Sequence, residues 1–162
     1  LSKSVGLPQL KLGWIAVSGP AGELPAALSR LEYVADAYLS VSTPVALAAP
    51  RLLEQGLPVQ HAIAGRCRTN LDRLRELARA TPAVTVLPAG GGWSAVLRVP
   101  SLRDDEKLAV HLLENAGVAV HPGYLFDLPG EGYLVVSLLP PEELFGEGVR
   151  RVLAAVAEMV GG

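Results

Sequence analysis

Leu24, Leu28, Leu31, Ala35 and Tyr38 recur at three- and four-residue steps, which predicts an amphipathic helix over 24–39. Before it, Leu10, Leu12, Trp14 and Ala16 alternate with Lys11, Gly13, Ile15 and Val17. That two-residue rhythm predicts a strand, buried on both faces at its far end and stopped by Gly19-Pro20. Thr43 followed by Pro44 predicts the next helix start, with a hydroxyl N-cap and proline at the first helical position. That helix runs toward Gly56 with a kink or step at Pro50. Gly56-Leu57-Pro58 breaks it, and Val59, Ile63, Cys67, Leu71, Leu74 and Ala78 then form one apolar stripe.

The second half changes rhythm. Val84–Leu87 and Trp93–Val99 read as strands joined through Pro88 and Gly90-Gly91-Gly92. Ser101-x-x-Asp104 reads as a capping box for a helix from 103 to 116, closed by Gly117. Val118–His121 and Tyr133–Leu138 are short strands, and Pro140-Pro141-Glu142 opens a terminal helix with Leu144, Val149, Val152, Leu153, Val156 and Val160 on one face. The pattern strand–strand–helix–strand–strand–helix predicts an α+β layer of helices on a small sheet, within an α/β chain. No internal repeat is visible.

Composition narrows the class. The chain has 162 residues, 50% of them hydrophobic and 19% charged, which excludes a disordered chain. Fourteen basic against sixteen acidic residues leave a net charge of −2, which argues against nucleic acid as a partner. No apolar run approaches the roughly 18 residues of a membrane span, so no membrane partner is expected. Cys67, the single cysteine, excludes an internal disulfide and fits a reducing, cytoplasmic setting. The opening LSKSVGLPQ lacks the regions of a signal peptide and is not tail-like, which predicts a piece of a longer protein.

Candidate chemistry is sparse. His61, His111 and His121 are far apart, and none has metal-ligand spacing. Cys67 falls on the apolar stripe and reads as a small core residue. Arg66, Arg68, Arg73, Arg75 and Arg79 share a helix face that would suit phosphate contact, but Asp72 and Glu76 interleave with them, so it reads as a solvated, ion-paired surface. The triple glycine lacks the lysine and hydroxyl of a phosphate loop, and a strand rather than a helix follows it.

The run Ser2-Lys3-Ser4-Val5-Gly6-Leu7-Pro8-Gln9-Leu10-Lys11-Leu12-Gly13-Trp14 resembles the lysine motif of class I/II aminotransferases, pyridoxal-phosphate enzymes of the aspartate-aminotransferase fold. That family reads roughly S-x-S-K, then G-L-x-G-L-R-x-G-W/Y, with a basic residue eight places after the lysine. Lys11 stands eight after Lys3, and Gly6, Leu7, Leu10, Gly13 and Trp14 fall in step. Gly91–Leu97 is similar to the family's G-G-F/M-F-x-W-L strand, Gly117–Gly123 to its G-V-x-V-x-P-G loop, and Gly132–Ser137 to G-x-x-R-[LIV]-S.

The resemblance implies the C-terminal part of such an enzyme. Residues 1–43 are then a remnant of the large cofactor domain, and 44–162 the interdomain helix and small domain. It implies a Schiff base and proton shuttle at Lys3, a phosphate contact at Lys11 and a nearby hydrogen bond from Ser2. Amino acid and 2-oxo acid substrates and a homodimeric full-length protein are implied too. The family's carboxylate-binding arginine aligns with Val135; either Arg98 takes over that contact or the substrate lacks an α-carboxylate there. This departure keeps open a carbon–sulfur lyase, decarboxylase or synthase on the same scaffold, or a non-catalytic relative. The family's remaining cofactor contacts precede its lysine, so the 162-residue chain alone is expected to be inactive.

Overall fold

Local periodicity becomes architecture where apolar stripes find partners. The computed structural model describes residues 1–38 and 40–161, in two compact units, Leu1–Ala62 and Ile63–Gly162.

In the first unit a tight turn around Val5 leads into a 3-10 turn, Pro8–Leu10. Residues 11–20 are irregular, so the strand expected over 10–17 does not form. A strand exists through its ladder, and all four strands of the described residues lie in the other unit. Trp14 and Ile15, expected to be buried, are 61% and 76% exposed. Helix α1 spans Leu24–Asp36, with proline in its first turn; Leu39, its expected end, lies outside the described residues. Helix α2 is Thr43–Gln55 and contains Pro50. Its N-cap is Ser42 rather than Thr43, because the Ser42 carbonyl already accepts from Ala46 N–H at 3.0 Å. Helix α3 follows at once, over Leu57–Ala78. The break expected at Gly56 is a joint: the residue keeps φ −80° and ψ −8°, and the bonds Gly56 N–H to Leu52 and Gln60 N–H to Gly56 both form at 3.0 Å.

The second unit has the expected strand–strand–helix–strand–strand–helix order. Strands β1 (Thr85–Val86), β2 (Ser94–Arg98), β3 (His121–Pro122) and β4 (Tyr133–Ser137) form one antiparallel sheet in the order β1-β2-β4-β3. Pairing Ala95 with Val136 and Leu97 with Leu134 sets these four on one face. They join a core with Cys67, Leu74 and Ala78 of α3 and with Phe145, Val149, Val152 and Val156 of the terminal helix. That helix, α5, is Glu142–Gly161; α4, Asp105–His111, runs into a π-helical turn, Leu112–Ala116, closed by Gly117 at φ +65°.

Two details differ from the expected pattern. Ser101 does not cap α4; its hydroxyl donates to the Glu131 carbonyl at 3.2 Å, while Asp104 caps by accepting Lys107 N–H at 2.7 Å. The strand expected over 118–121 shrinks to His121–Pro122, because Val118 N–H turns back to the Leu112 carbonyl at 3.2 Å. Among the described residues, two polar ones are buried with the core: Asn70 at 0% and Asp105 at 2% exposure.

Candidate functional site

The lysine-bearing run folds back on itself for local reasons. Leu1 and Val5 are buried at 4% and 3% exposure, so the short stretch between them must turn over an apolar footing. The Leu1 carbonyl accepts from Val5 N–H at 3.1 Å and Leu7 N–H at 3.4 Å, and the Leu1 nitrogen donates to the Leu12 carbonyl at 2.6 Å. Gly6 takes φ +69°, a conformation glycine adopts without a side-chain penalty. Lys11 itself closes the 3-10 turn at φ 50°.

Ser2, Lys3, Ser4, Lys11, Gly13 and Trp14 therefore line one open depression of about 440 Å³. The three residues predicted for a site, Ser2, Lys3 and Lys11, are thus brought together. Ser4 and Trp14 join them, although the sequence reading gave neither a role; the signal available was their place inside the same motif. Lys3 and Lys11 are both exposed, whereas Val5 turns inward onto Gly56. The donor set is one primary amine, a second ammonium and two hydroxyls. It fits a group that carries both an aldehyde and a phosphate monoester: an amine condenses with the former, and a cation with hydroxyl donors holds the latter.

The other candidates lie elsewhere. Cys67 is buried in the core, and burial pushes its thiol above the ordinary value, with Arg66 opposing in part. His111 meets Asn115 Nδ2 at 3.0 Å, and the ring of His121 stands edge-on to Phe126 at 5.9 Å. No group of three or more metal-ligating side chains occurs among the described residues. On α3, Arg73 pairs with Glu76 at 2.6 Å and Arg75 with Asp72 at 3.4 Å, as a solvated face requires. Val135 is 2% exposed on β4 between Val96 and His121. Arg98 pairs across strands with Tyr133, its guanidinium carbon 6.0 Å from the ring centroid.

A family model described as aminotransferase class I and II matches residues 1–149. A probable N-succinyldiaminopimelate aminotransferase from Thermus thermophilus is similar over 95% of this chain and 40% of its own, at 26% identity and a TM-score of 0.77. An alanine aminotransferase from Pyrococcus furiosus is similar over 94% of this chain and 39% of its own, at 20% identity and a TM-score of 0.80. A PLP-dependent aminotransferase from Streptococcus suis covers 98% of this chain, with 40% of its own length matched, at 18% identity and a TM-score of 0.77. The chain thus spans about 40% of the length of these solved relatives. No curated protein matches it.

Proposed function

Because the chain belongs to the class I and II aminotransferase family, we propose that it is the carboxy-terminal part of an enzyme that moves an amino group between an amino acid and a 2-oxo acid. On this reading residues 1–43 complete a large cofactor domain, and 44–162 supply the interdomain helix and small domain. The observation that carries it is the depression shared by Ser2, Lys3 and Lys11. The family carries pyridoxal phosphate, which when bound supplies an electron sink for charge released at the substrate α-carbon.

This chain's own residues would do the rest. The Lys3 amine would hold the cofactor covalently and, when free, would act as the base that carries the proton between the substrate α-carbon and the cofactor C4′. The Lys11 ammonium neutralises phosphate charge as a point donor, without the two-pronged grip of an arginine, and Ser2 adds a hydroxyl. A homodimer in the cytoplasm belongs to the same proposal.

Val135 favours a second reading. A buried valine stands where the resemblance calls for a carboxylate-binding arginine, and such a clamp contributes much of substrate positioning. A lyase, decarboxylase or synthase on the same scaffold accommodates that change more readily.

The test is borohydride reduction with pyridoxal phosphate followed by peptide mapping. One dominant pyridoxyl adduct at Lys3 is expected; adducts scattered over surface lysines would overturn the assignment. The chain alone is expected to show no transamination, and measurable turnover with an amino acid and a 2-oxo acid would refute that.

A further inference from the structure

Gly56 raises a question that its dihedrals do not answer. Its dihedrals are helical and its N–H and carbonyl both take part in helix-type bonds, so alanine, a far stronger helix former, would suit the position. Space explains the glycine. A Cβ placed there would collide with Cβ and Cγ1 of Val5 and lie 2.7 Å from the Leu52 carbonyl oxygen. The missing side chain is the seat into which Val5 packs.

Val5 is 3% exposed, two residues from Lys3, and its N–H closes the turn onto the Leu1 carbonyl at 3.1 Å. The lysine has a long flexible stem, so its reach is set by where this turn is held. We propose that Gly56 is a positioning residue for Lys3: by admitting Val5 at the joint between α2 and α3, it fixes the turn that presents the amine to the depression. The inference rests on the role proposed for Lys3. It adds that a helix joint more than fifty residues along the chain decides how that amine is aimed.

The experiment compares the 162-residue chain with Gly56→Ala, Val5→Ala and the double variant. Amide hydrogen exchange at Val5 and Leu7 reads the turn, with Ala27 in α1 as a reference in the same unit. The ratio of pyridoxyl adducts at Lys3 and Lys11 after borohydride reduction reads the aim of the amine. Each single variant is expected to speed exchange at Val5 and Leu7 about tenfold, leave Ala27 unchanged and lower the Lys3-to-Lys11 ratio by about tenfold. In the double variant the Cβ at position 5 and the Leu52 carbonyl oxygen still oppose a methyl at 56, so neither readout is expected to recover relative to Gly56→Ala alone, and full recovery of both would overturn the proposal.

Unchanged exchange at Val5, an equal rise at Ala27, or a faster turn with an unchanged adduct ratio would each overturn the proposal. Should Gly56→Ala fail to fold, Val5→Ala decides by the same criteria. If the unaltered chain gives no Lys3 adduct, the functional reading fails, while the exchange arm still decides whether Gly56 holds the turn.

Discussion

Removing the carboxylate of Asp105 is the sharpest test of what holds the second unit together. This side chain is 2% exposed, and its Oδ1 accepts Gly132 N–H at 2.6 Å and Tyr133 N–H at 3.2 Å. In return Asp105 N–H donates to Glu131 Oε2 at 2.7 Å, so the start of α4 and the entry to β4 are clasped reciprocally. A third segment leans on the clasp: a Cβ added at Gly123 would come within 3.0 Å of Asp105 Oδ2. Asp105→Ala strands two backbone donors. At roughly 1–3 kcal/mol per buried group left unsatisfied, the loss should be about 2–6 kcal/mol. For a unit of this size that lowers the Tm by roughly 10–30 °C. The assay is urea and thermal unfolding followed by Trp93 fluorescence in a Trp14→Phe background, since the chain has only these two tryptophans. Asp105→Asn keeps one acceptor oxygen and should lose about half as much. A loss below about 1 kcal/mol for Asp105→Ala would refute the argument, because it would mean that water or a rearranged loop satisfies both donors at little cost.

Asn70 offers an independent test on α3. Its Nδ2 donates to the carbonyls of Leu138 and Pro140, both at 2.9 Å, while Oδ1 has no partner among the described residues. Asn70→Ala should cost about 2 kcal/mol in the same unfolding assay, and Asn70→Asp more, since a carboxylate oxygen would then face two carbonyls. The Asp104 cap gives a pH signature. The side-chain hydrogen bond from Lys107, aided by that residue's backbone N–H, holds the Asp104 carboxyl below its usual value. A depressed folded-state value contributes stability above the ordinary carboxylate range and loses it as pH falls through the lowered value. The effect is modest and salt-sensitive at this exposed site. The Lys107 amide shift should therefore titrate at lower pH than an unpaired aspartate would. A step at the ordinary carboxylate value, or one that survives Asp104→Ala, would count against the cap.

The helices α1 to α5 and the alternation of Ala95, Leu97, Leu134 and Val136 were legible because periodicity is local: a stripe or an alternation needs only a partner somewhere to pack against. The lysine run was legible for another reason, many residue types agreeing at fixed spacing around Lys3 and Lys11. Tertiary structure decided what local pattern leaves open. Residues 10–17 carry a strand's alternation and form none, since no strand of the described residues lies in their unit to pair with them. No local pattern singles out Asn70 and Asp105, and they are buried because backbone groups remote in the chain converge on them. Gly56 reads as a helix breaker, but its helical dihedrals and the packing of Val5 make it a joint with a seat. Hydrogen-bond partners and close packing depend on which segments meet in space, and residue spacing along the chain carries that information only where the contacts are local.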